Sequence, residues 1–313
     1  MTRQDPLTNP FGAHDTVPVS GGELLLACAG PPVGAAEATV LAIHGITSSH
    51  VVFRSVAREL ARPMRVAVLA PDLRGRGRSA HLPGPYGIAT HVADLLAVLD
   101  HAEARRVVVV GHSMGGYVAA RFAAEHPERV AAVVLLDGGL PFAAPTSDLD
   151  AAIETMVGPA IRRLRMSFAS IADYVDGWRA HPAFARAWNA DVEAYARYDM
   201  VSDGRSARCV VREEAVRAEA RDLLLDDATV TALDRVRAPV YLLRAPRGLR
   251  DDDNAAIPQA LRDRFLAARP DVRFEEVEGV NHYTLVMGGG PGPIRVAAAI
   301  AAAAREVLCP LPP

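Results

Sequence analysis

Four consecutive valines, Val107-Val108-Val109-Val110, run straight into Gly111-His112-Ser113-Met114-Gly115, and an Ala-rich stretch of helical spacing follows from Tyr117 to Glu125. The β-branched run predicts a strand, the Ala-rich stretch a helix, and the glycines a sharp turn that joins them with almost no linker. In such a turn the neighbours of Ser113 have no room for a Cβ, and the serine sits in a strained backbone conformation that projects its hydroxyl above the strand end. The helix that starts at once aims free N–H groups and a partial positive charge at the same point. A chain built this way needs strands and helices in alternation, which is an α/β fold.

The rest of the sequence keeps that alternation. Strands are predicted at 23–29, 39–43, 65–70, 106–110, 130–136, 239–244 and 272–277, and helices at 52–61, 88–101, 254–268 and 294–308. The short uninterrupted apolar runs suit a mostly parallel sheet covered on both faces. Between 140 and 236 the alternation stops and the pattern turns helical, with no convincing strand in the middle. This segment reads as a helical cap inserted into a core of residues 1–139 and 237–313, placed over the sheet edge where open α/β folds bind ligands. Gly288 to Pro293 reads as a flexible loop, and residues 1–18 as a polar tail.

Composition removes several alternatives. At 313 residues the chain can bury one large domain with an insertion. No apolar run is long enough for a membrane span, and the polar start has no signal-peptide h-region, so a cytoplasmic protein is expected. Cys28, Cys209 and Cys309 match no zinc or redox spacing and fit a reducing compartment. The net charge of −3 with dispersed basic residues argues against nucleic acid as a partner. All 34 basic residues are arginine. Without lysine there is no Schiff-base chemistry, no lysine-anchored pyridoxal phosphate, no phosphate-loop lysine and no Ser–Lys dyad.

A serine hydroxyl needs a base within reach, an acid to orient that base, and donors for an oxyanion. With Gly111-His112-Ser113-Met114-Gly115 read as a nucleophile elbow, the order along the chain is nucleophile, acid, base. That order selects His282, after the last strand in Gly279-Val280-Asn281-His282-Tyr283, from the ten histidines. His50, His81 and His91 precede Ser113 and read as surface or packing residues. The acid is expected in the loop after the strand at 239–244, where Asp251, Asp252 and Asp253 stand together. Asp251, nearest the strand, is the first choice. Asp252 and Asp137, the latter at the end of an earlier strand, are the alternatives. The oxyanion donors are expected to be the backbone N–H groups of Met114 and Ile46, the second allowed close approach by Gly45. Pro71 to Ser79 has the glycines and arginines of a phosphate loop but not its spacing, and reads as a structural turn held by Asp72 and arginine hydrogen bonds.

On these residues the chain resembles the α/β-hydrolase superfamily over nearly its whole length. The motifs are His44-Gly45 after a strand, Asp72-Leu73-Arg74-Gly75-x-Gly77-x-Ser79, Gly111-His112-Ser113-Met114-Gly115-Gly116 and the late His282. The resemblance implies a mostly parallel eight-stranded sheet with a helical cap, and a Ser–Asp–His triad with no cofactor and no metal. Serine as nucleophile argues against the epoxide hydrolase and haloalkane dehalogenase branches. Two departures stand out: the acid loop is longer than the usual G-x-x-D pattern, and Asn281 precedes the histidine where glycine is common.

The expected activity is hydrolysis of a small-to-medium apolar ester, thioester or lactone. The Ser-Met-Gly-Gly run is also similar to that of carbon–carbon bond hydrolases of ring-cleavage products, for which an arginine such as Arg247 would hold the dienoic acid. A slow-turnover ligand receptor is the third possibility. Of the chain's sparse aromatics, Trp178, Trp188, Tyr174 and Phe142 fall in the cap and are candidates for the wall of an apolar substrate pocket.

Overall fold

The computed structural model describes residues 9–62, 64–141 and 148–308. Eight strands form one sheet: β1 (Ala13–Val19), β2 (Gly22–Ala29), β3 (Ala38–Ile43), β4 (Val66–Pro71), β5 (Val107–His112), β6 (Val130–Leu136), β9 (Val240–Arg244) and β10 (Arg273–Glu276). Their order is β1-β2-β4-β3-β5-β6-β9-β10. From β4 to β10 every pair is parallel, and β2 alone runs antiparallel to its neighbours. The fold is the α/β one expected.

Alternation along the strands explains the two layers of helices. Val107 and Val109 of β5 face one apolar cluster with Leu41, Ile43, Val133 and Leu135, closed by helices α2 (Ile88–His101) and α3 (Met114–Glu125). Val108 and Val110 face the other with Val40, Ala42, Val134 and Leu136, closed by α1 (Arg54–Leu60) and α10 (Pro291–Leu308). Burial on both faces is why the central strands are unbroken apolar runs rather than alternating ones. The last sheet-flanking helix is α9 (Gln259–Ala268).

Between β6 and β9 the chain forms α4 (Leu149–Leu164), α5 (Ile171–Arg179), α6 (Ala190–Tyr198), a small hairpin of β7 (Met200–Ser202) and β8 (Ala207–Cys209), α7 (Glu213–Leu225) and α8 (Asp227–Val230). The starts of three helices are written in the sequence. The side chains of Asp148, Ser170 and Asn189 accept from the first free N–H groups of α4, α5 and α6. Asp191 of α6 ties this segment to α1 by accepting from Ser55 and Arg58.

Three local readings are corrected. Residues 13–19 are a strand, not tail; β1 is an edge on which only Val17 is buried, so no apolar alternation marked it. The insert contains β7 and β8, each too short to give a periodic signal. The helix at the C-terminus starts at Pro291 instead of after a loop through Pro293, because prolines in a first turn remove N–H groups that would have no helical partner anyway.

Candidate active site

β5 ends at His112, and α3 begins at Met114, leaving Ser113 alone in the turn with φ 57° and ψ −124°. The conformation follows from crowding. A Cβ on Gly111 would lie 2.1 Å from the Gly115 carbonyl oxygen, and one on Gly115 would lie 2.1 Å from that of Ile43. The turn is pinned by Ser113 N–H, which donates to Leu136 O at 2.9 Å, and by Gly116 N–H, which donates to Ser113 O. Met114 is the first residue of α3, so its N–H belongs to the group that a helix leaves without an internal partner.

His282 lies in the loop after β10, and the residues around it fix it closely. Asn281 accepts from the N–H groups of Tyr283 and Thr284 and donates to Ala183 O. The backbone N–H of Asn281 donates to Thr284 Oγ1. His112 donates from Nε2 to the His282 carbonyl at 3.0 Å, and burial together with the neighbouring His282 ring holds His112 well below the usual histidine range, hence neutral. The ring itself donates from Nδ1 to Asp137 Oδ2 at 2.7 Å, with both groups buried. Nδ1–H leaves Nε2 as the acceptor face of the imidazole. No hydrogen bond joins Ser113 Oγ to this ring among the described residues; such contacts are often long until a substrate is bound.

Asp137 stands one residue beyond β6, with φ 48°. Its N–H continues the sheet by donating to Leu243 O at 2.8 Å, and its Oδ1 accepts from Ala245 N–H at 3.3 Å. The carboxylate that meets His282 is thus Asp137, one of the alternatives, and not Asp251, the first choice. Asp251 is nearly half exposed and bound to Arg247, Nε to Oδ1 at 3.0 Å, with Asn281 Nδ2 at 3.3 Å from the same oxygen. The loop folds back on itself, with Gly248 N–H donating to Asp252 O, so the carboxylates of the run face Arg247 and water, not the imidazole. Asp252 Oδ1 accepts from Asn254 N–H. Arg247 is spent on Asp251 and Asp253.

Two cavities meet at Ser113 and His282. One, of about 210 Å³, is apolar: Ile46, Met114 and Tyr117 lie with Leu140, Met156, Val157 and Leu223 of the segment between β6 and β9, and with Leu249, Ile257 and Leu261. The other, of about 60 Å³, is lined by Gly45, Thr47, Ser48, Tyr195 and Tyr283 among others. Ile46 borders both. Gly45 backs onto the serine, where a Cβ would come 3.2 Å from Ser113 Cβ. Its carbonyl accepts from His44 Nδ1 at 2.8 Å, while His44 Nε2 accepts from Leu73 N–H at 2.9 Å. Burial pushes this imidazole down to about 4, so it is neutral, donor on one nitrogen and acceptor on the other.

The aromatic residues expected at the wall lie elsewhere. Trp178 is buried in a cluster with Phe184, Tyr195 and Tyr283 at ring separations of 5.6–5.8 Å, with Tyr174 at its edge and the Arg163 guanidinium over its face at 4.9 Å. Trp188 packs on Phe184 beneath Arg179. Trp178, Trp188 and Tyr174 therefore back the wall, and neither cavity is lined by them. Phe142 and Cys309 fall outside the described residues. Met156, Val157 and Leu223 carry no signal of their own in the sequence, since apolar helix positions look alike whether they face a core or a cavity. Among the described residues no cluster of side chains fits a metal ion, and no helix is long and apolar enough to cross a membrane.

The sequence profile of the alpha/beta hydrolase fold family matches residues 38–283, most of the chain. The chain belongs to this family. Among curated relatives, Lipase LipV of Mycobacterium tuberculosis (strain ATCC 25618 / H37Rv) is 39% identical over 153 residues, 49% of this chain and 50% of that protein. The 2-hydroxy-6-oxo-2,4-heptadienoate hydrolase of Pseudomonas putida is 39% identical over 108 residues, 33% of this chain and 38% of that one. The chain thus spans about half the length of the lipase and less of the other hydrolase. The crystal structure of E-2-(acetamidomethylene)succinate hydrolase superposes with a TM-score of 0.72 at 20% identity, covering 93% of this chain and 98% of that one, a likeness of fold. As an α/β hydrolase, the protein carries its candidate residues at the end of β5, just after β6 and after β10, around one opening.

Proposed function

We propose that this α/β hydrolase cleaves a carboxylic ester, thioester or lactone with a small-to-medium apolar acyl group through an acyl-enzyme on Ser113. The observation that carries this reading is the 2.7 Å contact from His282 Nδ1 to Asp137 Oδ2 beside the strained serine. Asp137 keeps the imidazole in the tautomer whose Nε2 can accept a proton. Ser113 Oγ attacks the carbonyl carbon as its proton passes to His282 Nε2, and Asp137 stabilises the imidazolium. The N–H groups of Met114 and Ile46 hold the oxyanion. The tetrahedral intermediate expels the alcohol or thiol, which takes the proton from His282. Water then repeats the sequence on the acyl-enzyme and releases the acid.

The apolar cavity suits the acyl chain, and the smaller one, with Thr47, Ser48 and the two tyrosines, the leaving group. In proportion to a 150 Å³ cavity that binds benzene, the larger space holds about eight carbon atoms. In this reading residues 140–236 are a cap domain on a core of residues 1–139 and 237–313, and the cap supplies Leu140, Met156, Val157 and Leu223 to the acyl wall. Steady-state hydrolysis of p-nitrophenyl esters from acetyl to dodecanoyl tests it. An optimum near hexanoyl or octanoyl and loss of turnover in Ser113→Ala are expected; an active Ser113→Ala variant would sink it. Cleavage of a carbon–carbon bond in a vinylogous diketone has the similarity to the Pseudomonas putida hydrolase in its favour. Turnover of such a dienoate without turnover of any ester would select that reading.

A further inference from the structure

A second buried group lies beside the elbow, and the reaction above does not use it. Arg76, in the loop after β4, is fully buried. Each of its five N–H donors has an acceptor. Nε and Nη2 both donate to Ile46 O, at 3.0 and 2.8 Å. Nη1 donates to Arg74 O at 2.9 Å and to Glu219 Oε1 at 2.6 Å, and Nη2 closes a fork on Glu219 Oε2. Glu219 comes from α7 of the insert, and His91 of α2 meets the same carboxylate, Nε2 to Oε1 at 2.7 Å. All three side chains are shut off from solvent. Burial alone would raise the Glu219 carboxyl, but Arg76 and His91 outweigh it and keep it below the usual range.

A buried ion pair is weak evidence for stability, because well-packed apolar residues of similar volume often do as well or better. What this one touches gives it another role. The peptide between Gly45 and Ile46 is held at its carbonyl by His44 Nδ1 and by Ser48 N–H at 3.2 Å. Because a trans peptide is planar, its N–H, that of Ile46, points the opposite way. Arg76 then holds the next carbonyl, that of Ile46 itself. Ile46 is pinned on both sides of its N–H, and the second pin is anchored in the insert.

We propose that Glu219, acting through Arg76, is a positioning residue that fixes the Ile46 amide for the tetrahedral intermediate. The insert then sets the oxyanion site as well as the cavity wall. The inference rests on Ser113 being the nucleophile and Ile46 an oxyanion donor. Such a donor works only if it is already aimed at the developing charge, and a displacement of about 1 Å is enough to cost two decades in rate.

The test compares wild type, Glu219→Gln and the double variant Arg76→Met/Glu219→Met with p-nitrophenyl hexanoate and with hexylboronic acid, which forms a tetrahedral adduct on a serine. In Glu219→Gln, kcat should fall about 10- to 100-fold with KM within about twofold. Affinity for the boronic acid should fall in parallel. The double variant removes the unpaired charge, so it should melt above Glu219→Gln, yet its kcat should stay low. A double variant with wild-type kcat, or undiminished boronic acid affinity in either variant, overturns the positioning role. Wild-type protein inert to every ester overturns the Ser113 reading and this inference with it; an active wild type with unaffected variants overturns the positioning role alone.

Discussion

Replacing Asp137 by Asn is the sharpest single perturbation of the proposed reaction. Asp137 is 2% exposed, and its carboxylate lies 2.7 Å from the nitrogen that must carry positive charge when His282 takes the serine proton. With charge centres about 4 Å apart and an effective dielectric of about 20, that stabilisation is about 4 kcal/mol. This corresponds to roughly three decades of rate. An asparagine amide can also donate to Nδ1, which would leave the proton on Nε2, where it blocks the base; together these predict a loss of kcat of about 10³- to 10⁴-fold. Asp251 offers the control. Its side chain is 44% exposed and engaged with Arg247, so Asp251→Asn should stay within about threefold of wild type. The assay is p-nitrophenyl hexanoate turnover at pH 7.5, with circular dichroism to verify that each variant is folded. A folded Asp137→Asn within tenfold of wild type, or an Asp251→Asn that falls as far, would refute the assignment of Asp137 as the acid.

Two further outcomes follow from the geometry. Met156 lines the apolar cavity from α4, and Met156→Trp should remove room for about three methylenes, lowering the octanoyl-over-acetyl ratio of kcat/KM at least about tenfold; an unchanged ratio would mean that the acyl chain lies elsewhere. His44 is held neutral by burial, with its pKa about 4 in the fold against 6.5 for the free side chain. Below pH 6.5 the unfolded chain takes up a proton that the folded one refuses, so this group's contribution to stability declines from pH 6.5 towards 4 and then levels off. The His44 ring resonance should not move between pH 8 and pH 5; titration near 6.5 would contradict the acceptor role of Nε2 towards Leu73.

Periodicity made most of the sheet legible, because strands buried on both faces are bare apolar runs, and Val107 to Val110 needed no context. The turn at Ser113 was legible for a related reason, since a β-branched run and a helical run flank the two glycines on either side of it. His282 was picked by chain order. The carboxylate beside it was not, because Asp137 and Asp251 both follow strands and nothing local separates them. In the fold, sheet register continues β6 through Asp137 onto Leu243, while Arg247 holds Asp251. The tryptophans misled for a similar reason. A helix face that packs on tyrosines reads the same as one that packs on a ligand. The Arg76–Glu219–His91 group joins positions 143 and 128 residues apart in pairs, a separation that no motif spans.

β5 has four strands on one side of it, β1, β2, β4 and β3, and three on the other. Amide protons there can exchange only after neighbours on both flanks have let go, and regions of that kind are the last to open. Ser113 is tied into the same unit through its N–H on Leu136 O. The wall built by α4 and α7 has no such double flank. As the molecule is warmed, the cavity wall would therefore loosen before Ser113 loses its place. On the proposed reading, selectivity would fail at a lower temperature than turnover.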